Sequence, residues 1–408
     1  MSKRILLIGT LDTKGEEYRF VRDLVQQRGA QPVVMDAGVL GEPAFEPDVP
    51  AEQVAEAGGT PLPELRENGD RGQAMRVMTD GLRALTKRMY AQDGFDGVLG
   101  LGGGGGTQII TAAMRELPVG VPKLMVSTVA SGDVQSYVQG KDVTMMHSVV
   151  DIAGLNRISR RVLSNAAGAI CGMVDQEVPE ETDDRPLVAA TMFGVTTPCV
   201  NRVRELLDER GFEVVVFHAT GTGGQSMEGL IEDGYFDAVA DITTTEWCDE
   251  VVGGVLSAGE HRLEAAARNG LPQVVSCGAL DMVNFHAMET VPDRFRNRTL
   301  HRHNENVTLM RTTPEECVEI GRRIAEKVNQ STGPVSVLLP LEGVSMIDKA
   351  GEPFHDPVAD EALFDALRDH LDASVRLVEQ DAHINNTAFA DALVDELLAN
   401  WTSLNGEG

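Results

Sequence analysis

No apolar stretch in this 408-residue chain approaches the roughly 18 residues that a membrane-spanning helix needs, so a globular protein with no membrane partner is expected. Basic stretches are missing as well. The chain carries 63 acidic residues against 35 lysines and arginines, a formal charge of −28. Phosphate repulsion on that scale argues against a nucleic-acid partner. Lysine is scarce and arginine supplies most of the positive charge, a balance that would suit a saline cytoplasm or a GC-rich genome alike. The five cysteines, Cys171, Cys199, Cys248, Cys277 and Cys317, are widely spaced and form no C-x-x-C pair. Neither a disulfide framework nor a structural zinc site is suggested, and buried thiols are expected. G-x-S-x-G is absent, so there is no nucleophile elbow. The start is basic, but the apolar run Ile5 to Ile8 is too short for the core of a signal peptide. It reads as a first buried strand, with a cytoplasmic location as the expectation.

Glycine, by contrast, is concentrated. Five stand in a row, Gly102, Gly103, Gly104, Gly105 and Gly106, between the apolar segment Val98 to Leu101 and a helical stretch that opens at Thr107. Strand, glycine loop and helix N-terminus together make an anion cradle, because free backbone N–H groups and the positive end of the helix dipole face whatever sits in the loop. Glycine also admits a phosphate without Cβ interference. The run from Gly100 to Thr107 fits G-x-x-x-x-G-K-[ST] except at the lysine, where Gly106 stands. Without the cation that reaches the β- and γ-phosphates, phosphate binding is retained and P-loop hydrolysis is not expected. G-x-G-x-x-G can be traced through Gly100, Gly102 and Gly105, but a glycine run matches many templates.

At this length two domains are expected. Strand and helix alternate through the first half, with strands at Ile5 to Ile8, Pro32 to Asp36, Val98 to Leu101 and Lys123 to Ser127. Residues 37–65 read as a loop excursion. The acidic, proline-flanked stretch 179–186 reads as a linker, giving a first domain over 1–178 and a second over 187–408, where the alternation restarts. Repeated βα units predict an α/β fold of two Rossmann-like domains, each a mostly parallel sheet flanked by helices. Ligands of such sheets lie outside the carboxyl ends of the strands. Four small-residue loops end there in the first half: Gly9 to Lys14, Asp36 to Gly38, Gly102 to Thr107 and Ser127 to Asp133.

The second half has its own polar loops. His218 opens a second glycine loop, Thr220 to Gly224, and Asp241 and Glu246 flank three threonines. His218 with Glu246 is the candidate acid–base pair. His301-x-His303 has a spacing that metal ligands use, but no third ligand is fixed by spacing, and a solvated pair is the simpler reading.

Segments from both halves resemble one family. In the first they are Gly9-Thr10-Leu-Asp12-Thr-Lys14, Asp70-Arg-Gly-Gln73, the glycine run to Thr107, Ser127-Thr128-Val-Ala-Ser131-Gly132 and Ser148-Val-Val-Asp151. In the second they are Met192 to Asn201, Phe217 to Gly221, Asp241 to Glu246, Gly278 to Phe285 and Leu309 to Thr313. They are similar to the ATP-binding region of the tomato-mosaic-virus resistance protein and to uncharacterised bacterial proteins built from that region alone. The resemblance implies ATP at the first of two Rossmann-like domains, and a homodimer. The plant protein's antiviral role does not transfer, and its C-terminal domain has no counterpart in these 408 residues. Position by position, the resemblance places phosphates on Gly102 to Thr107, with Thr10, Asp12 and Lys14 lining the same cleft and Ser127, Thr128, Ser131 and Gly132 its opposite wall. Arg71 or Lys14 is the candidate replacement cation, and Asp36 the candidate ribose acceptor. Asp12, Asp133 and Asp151 are candidates for Mg²⁺, with no spacing to single one out. The leading expectation is an ATP-binding protein with a small anionic metabolite near the second domain or at the interface; whether it is an ATP-dependent enzyme acting on that metabolite is left open. The alternatives are a non-enzymatic regulatory module, or metabolite chemistry confined to the second domain.

Overall fold

The computed structural model describes residues 2–177 and 184–406. The chain divides into two compact units, residues 1–180 and 181–408. Most of the expected linker, 179–186, lies outside the described residues.

The first unit runs β1 (Arg4–Gly9), α1 (Leu11–Gln27), β2 (Gln31–Asp36), α2 (Ala51–Ala57), α3 (Leu62–Asn68), α4 (Arg71–Ala91), β3 (Gly97–Gly102), α5 (Gly104–Met114), β4 (Lys123–Ser127), α6 (Gln135–Val138), β5 (Thr144–His147) and α7 (Arg157–Asp175). Its strands form one parallel sheet in the order β2-β1-β3-β4-β5. Helices cover both faces, which is why the central strands are apolar without alternation. Leu6 and Ile8 pack with Leu82 of α4 and Ile110 of α5, while Ile5 and Leu7 pack with Val21 of α1 and Ile170 of α7. The stretch 37–65, expected as loop, contains α2 and the start of α3. Pro50 and Pro61 start two short helices whose Val54, Leu62 and Leu65 are buried.

In this strand order the winding reverses between β1 and β3, the place where such sheets open a crevice. Their pairing ends at Ile8↔Gly100. Beyond it the buried hydroxyl of Tyr18, from α1, donates to the Ile8 carbonyl and accepts from Leu101 N–H at 2.7 Å. The hydroxyl satisfies backbone groups that the parting strands leave behind. Gly9 makes room for it, since a Cβ there would stand 1.9 Å from the tyrosine ring.

The second unit runs β6 (Leu187–Met192), α8 (Thr197–Glu209), β7 (Glu213–His218), α9 (Thr222–Glu232), β8 (Ala238–Thr243), α10 (Glu246–Val252), α11 (Glu264–Arg268), β9 (Gln273–Gly278), β10 (Met282–Phe285), β11 (Leu300–Arg302), β12 (Thr308–Arg311), α12 (Pro314–Val328), β13 (Val335–Pro340), α13 (Pro357–His370), β14 (Arg376–Gln380) and α14 (Thr387–Asn405). Its main sheet, β14-β13-β9-β8-β6-β7, is parallel throughout and follows the same winding. A small antiparallel sheet, β10-β12-β11, stands apart from the βα alternation and was not expected. Both units are therefore Rossmann-like in the broad sense of a helix-covered, doubly wound parallel sheet. Among the described residues no helix is long and apolar enough to cross a membrane.

Replacing Tyr18 by Phe strands buried groups of β1 and β3, at a cost of about 1–3 kcal/mol. Urea unfolding should show that loss; unchanged stability would mean that the tyrosine hydroxyl does not bridge the strand ends.

Candidate functional site

The glycine run divides into two parts with different reasons for being glycine. Gly102 ends β3, and a Cβ on it would stand 3.0 Å from Gly106 Cα, so the tight turn requires it. Gly103 caps α5, and Gly104, Gly105 and Gly106 form the helix's first turn. None of these four has a positive φ, and a Cβ on any of them would meet nothing closer than 3.7 Å. Neither packing nor backbone strain accounts for them. Helix propensity opposes them, at about 1 kcal/mol per Gly relative to Ala in a helix interior. No side chain caps α5, and the first hydrogen bond back along the chain is from Thr107 N–H to Gly103 C=O. The N–H groups of Gly104, Gly105 and Gly106 have no acceptor among the described residues.

These groups border a cleft of about 680 Å³ at the carboxyl ends of β1 and β3. Thr10, Asp12, Lys14, Arg71 and Gly103 to Gly106 all line it. The lining also has an apolar part, Val39, Leu65, Met75, Met78 and Ile109, with Met75 Cε 3.8 Å from where a Cβ on Gly105 would be. The charges in the cleft are unequally committed. Asp70 caps α4, accepting from Gly72 and Gln73 N–H at 2.8 and 3.1 Å. Asp12 Oδ2 accepts from Leu40 and Gly41 N–H at 2.9 and 3.2 Å, while its Oδ1 is buried without a partner. Arg66 is held by the carbonyls of Val39 and Gly41. Arg71 has no partner among the described residues, and its guanidinium lies 3.7 Å from where a Cβ on Gly105 would be. Lys14 donates to a neutral acceptor, the Ile152 carbonyl, at 2.5 Å. The uncommitted charge is positive.

Other expected residues sit behind the cleft rather than in it. Thr107 and Ser127 are fully buried and joined hydroxyl to hydroxyl at 2.6 Å, with Thr107 also donating to Gly103 C=O. They brace the loop. Thr128 Oγ1 comes within 3.7 Å of the Cβ place on Gly103, whereas Ser131 and Gly132 are exposed beyond the lining. Asp36, the candidate ribose acceptor, faces backbone N–H groups of its own unit. It is 2% exposed, and its Oδ1 accepts from Leu11 and Gly38 N–H, both at 2.9 Å, which starts α1 and turns the following loop. Burial, against those two bonds, raises its carboxyl above the ordinary range. Asp133 and Asp151 are occupied with nearby backbone N–H groups. No group of three His, Cys, Asp or Glu among the described residues forms a metal site.

His218 and Glu246, the candidate acid–base pair, each engage other partners. His218 is exposed, stacks on Phe193 and bonds through Nδ1 to the Met192 carbonyl. Glu246 is fully buried. Its Oε1 accepts from Gly221 and Gly224 N–H at 2.7 and 3.1 Å, at the start of α9, and its Oε2 accepts from Arg262 at 2.7 Å. Burial pushes its carboxyl up and the Arg262 guanidinium pulls it back. Arg262 also binds Asp241 and Glu228. Here the glycines are required by packing: a Cβ would stand 1.8 Å from His218 C=O at Gly223 and 2.3 Å from Glu246 at Gly224. The second glycine loop thus holds an anion of its own. His301 rests edge-on against Phe354 and His303 is exposed in a hairpin turn.

A second buried cluster surrounds Arg311. Asp360 pairs with it at 2.5 Å and Asp348 lies 3.7 Å away, while Asp281 accepts from Ser345 Oγ. Oδ1 of Asp281 and Oδ1 of Asp348 are buried without hydrogen-bond partners. Burial and the neighbouring Asp348 carboxylate push Asp281 up to about 7 and Asp360 up to about 8.

Comparison with known proteins adds the following. Two models of the uncharacterised protein family UPF0261 match, the N-terminal domain over residues 3–179 and the C-terminal domain over 185–401. A UPF0261 protein of Clostridium tetani is 51% identical over 98% of this chain and 99% of its own length. Another, from Rhizobium meliloti, is 51% identical over 96% and 98%. The ToMV susceptible protein tm-1 of Solanum lycopersicum is 40% identical over 97% of this chain, which spans 56% of the plant protein.

The Arg311 cluster generates a pH prediction. Both raised carboxyls bind protons in the folded state that the unfolded chain, near pKa 3.9, has released. Their stabilising contribution is complete below about pH 4 and is lost as pH rises through about 7 to 8. Asp281→Asn should lessen that loss, so that the variant gains stability relative to wild type as pH rises from about 4 to about 7 in urea titrations. A wild-type pH slope in the variant would contradict it.

Proposed function

This chain belongs to the UPF0261 family, and from that premise we propose that its first unit is a nucleotide-binding module that takes ATP in the cleft between β1 and β3. The phosphates lie on the N–H groups of Gly104 to Gly106, with Arg71 and Lys14 supplying the cations that the loop itself lacks. The apolar part of the lining, Leu65, Met75 and Met78, accommodates the base. The observation that carries this reading is that Gly103 to Gly106 are glycine where the protein itself needs none. The space that four β-carbons would fill is left open at a helix N-terminus beside uncommitted positive charge. Asp12, with its buried, unpartnered Oδ1, is the residue suited to hold Mg²⁺ arriving with the phosphates.

The cleft favours occupancy over turnover. No His, Cys or Glu lines it, and both of its carboxylates are engaged with backbone N–H groups. A general base of the usual kind is missing from the lining. ATP therefore acts here as a bound effector, and an anionic metabolite has no cradle at α9, where Glu246 already stands.

Isothermal titration with ATP and ADP, with and without Mg²⁺, followed by product analysis, tests the reading. Saturable ATP binding with little ADP formed is expected. Gly105→Ala should leave the free protein at least as stable as wild type and weaken ATP by about tenfold or more, or about 1.4 kcal/mol. Arg71→Gln should weaken ATP similarly while leaving adenosine unaffected. Wild-type ATP affinity in Gly105→Ala would overturn the cradle.

A further inference from the structure

A loop outside the cleft is fastened to it at two points. Residues 148–152 follow β5 and contain Val149, whose φ is +68° and whose side chain is 61% exposed. A left-handed φ sets the Cβ of a branched residue against its own carbonyl oxygen, and no burial of the side chain offsets that strain. The hold comes from elsewhere. Lys14 Nζ donates to Ile152 C=O, and Ser148 N–H donates to Ser127 C=O at 3.1 Å. Ser127 is in turn bonded to Thr107 in the first turn of α5. Farther along, Gly154 N–H donates to the buried carboxylate of Glu17 at 2.6 Å. Between Val126, Ser148 and Ile152 is a cavity of about 10 Å³, at most room for one water, and the Ile152 side chain is buried in the core cluster with Val126 and Leu163. Lys14 sits at an interruption of α1, with φ −130° and ψ 23°, and faces the cleft.

We propose that residues 148–152 form a strap that Lys14 fastens while the cleft is free of anion and releases when phosphate arrives. The proposal rests on the nucleotide reading above and adds a regulation to that site. The lysine ammonium has three donors and no acceptor, and a phosphate oxygen offers it a charge-assisted bond about twice as strong as a neutral carbonyl can. As the ammonium turns to phosphate, Ile152 loses its tether and Val149 relaxes out of the left-handed region. The surface there already exposes Val149 and, at 50%, Ile158, so its apolar outline changes with the state of the cleft. Binding loosens a segment beyond the site, whereas a ligand ordinarily tightens its surroundings. The strained residue is what gives the change its direction.

Hydrogen exchange of the full chain with and without ATP tests this, with binding verified calorimetrically on the same samples. In the wild type, ATP should slow the amides of residues 103–107 and speed those of 148–154 by about tenfold. Lys14→Met should exchange fast at 148–154 without ATP and gain nothing further from it. Val149→Gly, which tolerates the positive φ, should lose most of the ATP effect while keeping its fold. If ATP binds and 148–154 slows or stays unchanged, or if Lys14→Met exchanges like wild type before ATP is added, the strap is refuted and the nucleotide reading stands. If calorimetry shows no ATP binding, both fall together.

Discussion

The N–H groups at the start of a helix need an acceptor, and the two units meet that need in opposite ways. At α9 the acceptor is internal: Glu246 reaches under the glycine loop, bonds Gly221 and Gly224, and is balanced by Arg262. At α5 no acceptor is supplied among the described residues, and the approach is kept open by placing glycine where any small residue would fit. An orphaned helix end on a concave wall is a standing demand for an anion or for water. The fold makes that wall by parting β1 from β3 and sealing the gap with Tyr18. Strand order, tyrosine bridge and glycine turn thus all lead to one cleft.

Charge on the whole molecule opposes an anionic ligand and charge in the cleft favours one. The net charge of −28 acts through solvent, where screening limits it to about 8 Å at physiological ionic strength. Inside the cleft the carboxylates of Asp12 and Asp70 each accept from backbone donors through one oxygen, while Arg71 has no partner among the described residues and Lys14 meets only a carbonyl. At contact distance the local balance wins. Raising the salt concentration should matter less to such a site than to a surface patch, because its donors are fixed dipoles at short range.

The βα alternation and the glycine run were legible in the sequence because each is a local pattern with one physical cause. The direction in which a carboxylate faces was not. Asp36 and Glu246 stand after strands, in small-residue loops, just as ligand-binding acids do, yet both accept from the protein's own N–H groups. Before folding, an internal partner and an external one look alike. Tyr18, Met75 and Met78 escaped notice for the converse reason, since apolar residues at helical spacing read as core. The small sheet was hidden by composition: β11 contains His301 and Arg302, which do not look like strand.

The most direct test of the account follows individual amides. Protein labelled with ¹⁵N-glycine and titrated with ATP should show the resonances of Gly104, Gly105 and Gly106 shifting together and saturating with the calorimetric affinity. Gly221 and Gly224, already bonded to Glu246, should stay in place. Saturable ATP binding that leaves the first three unmoved, or that moves Gly221 and Gly224 instead, would contradict the claim that the open helix end at α5 is where the phosphates go.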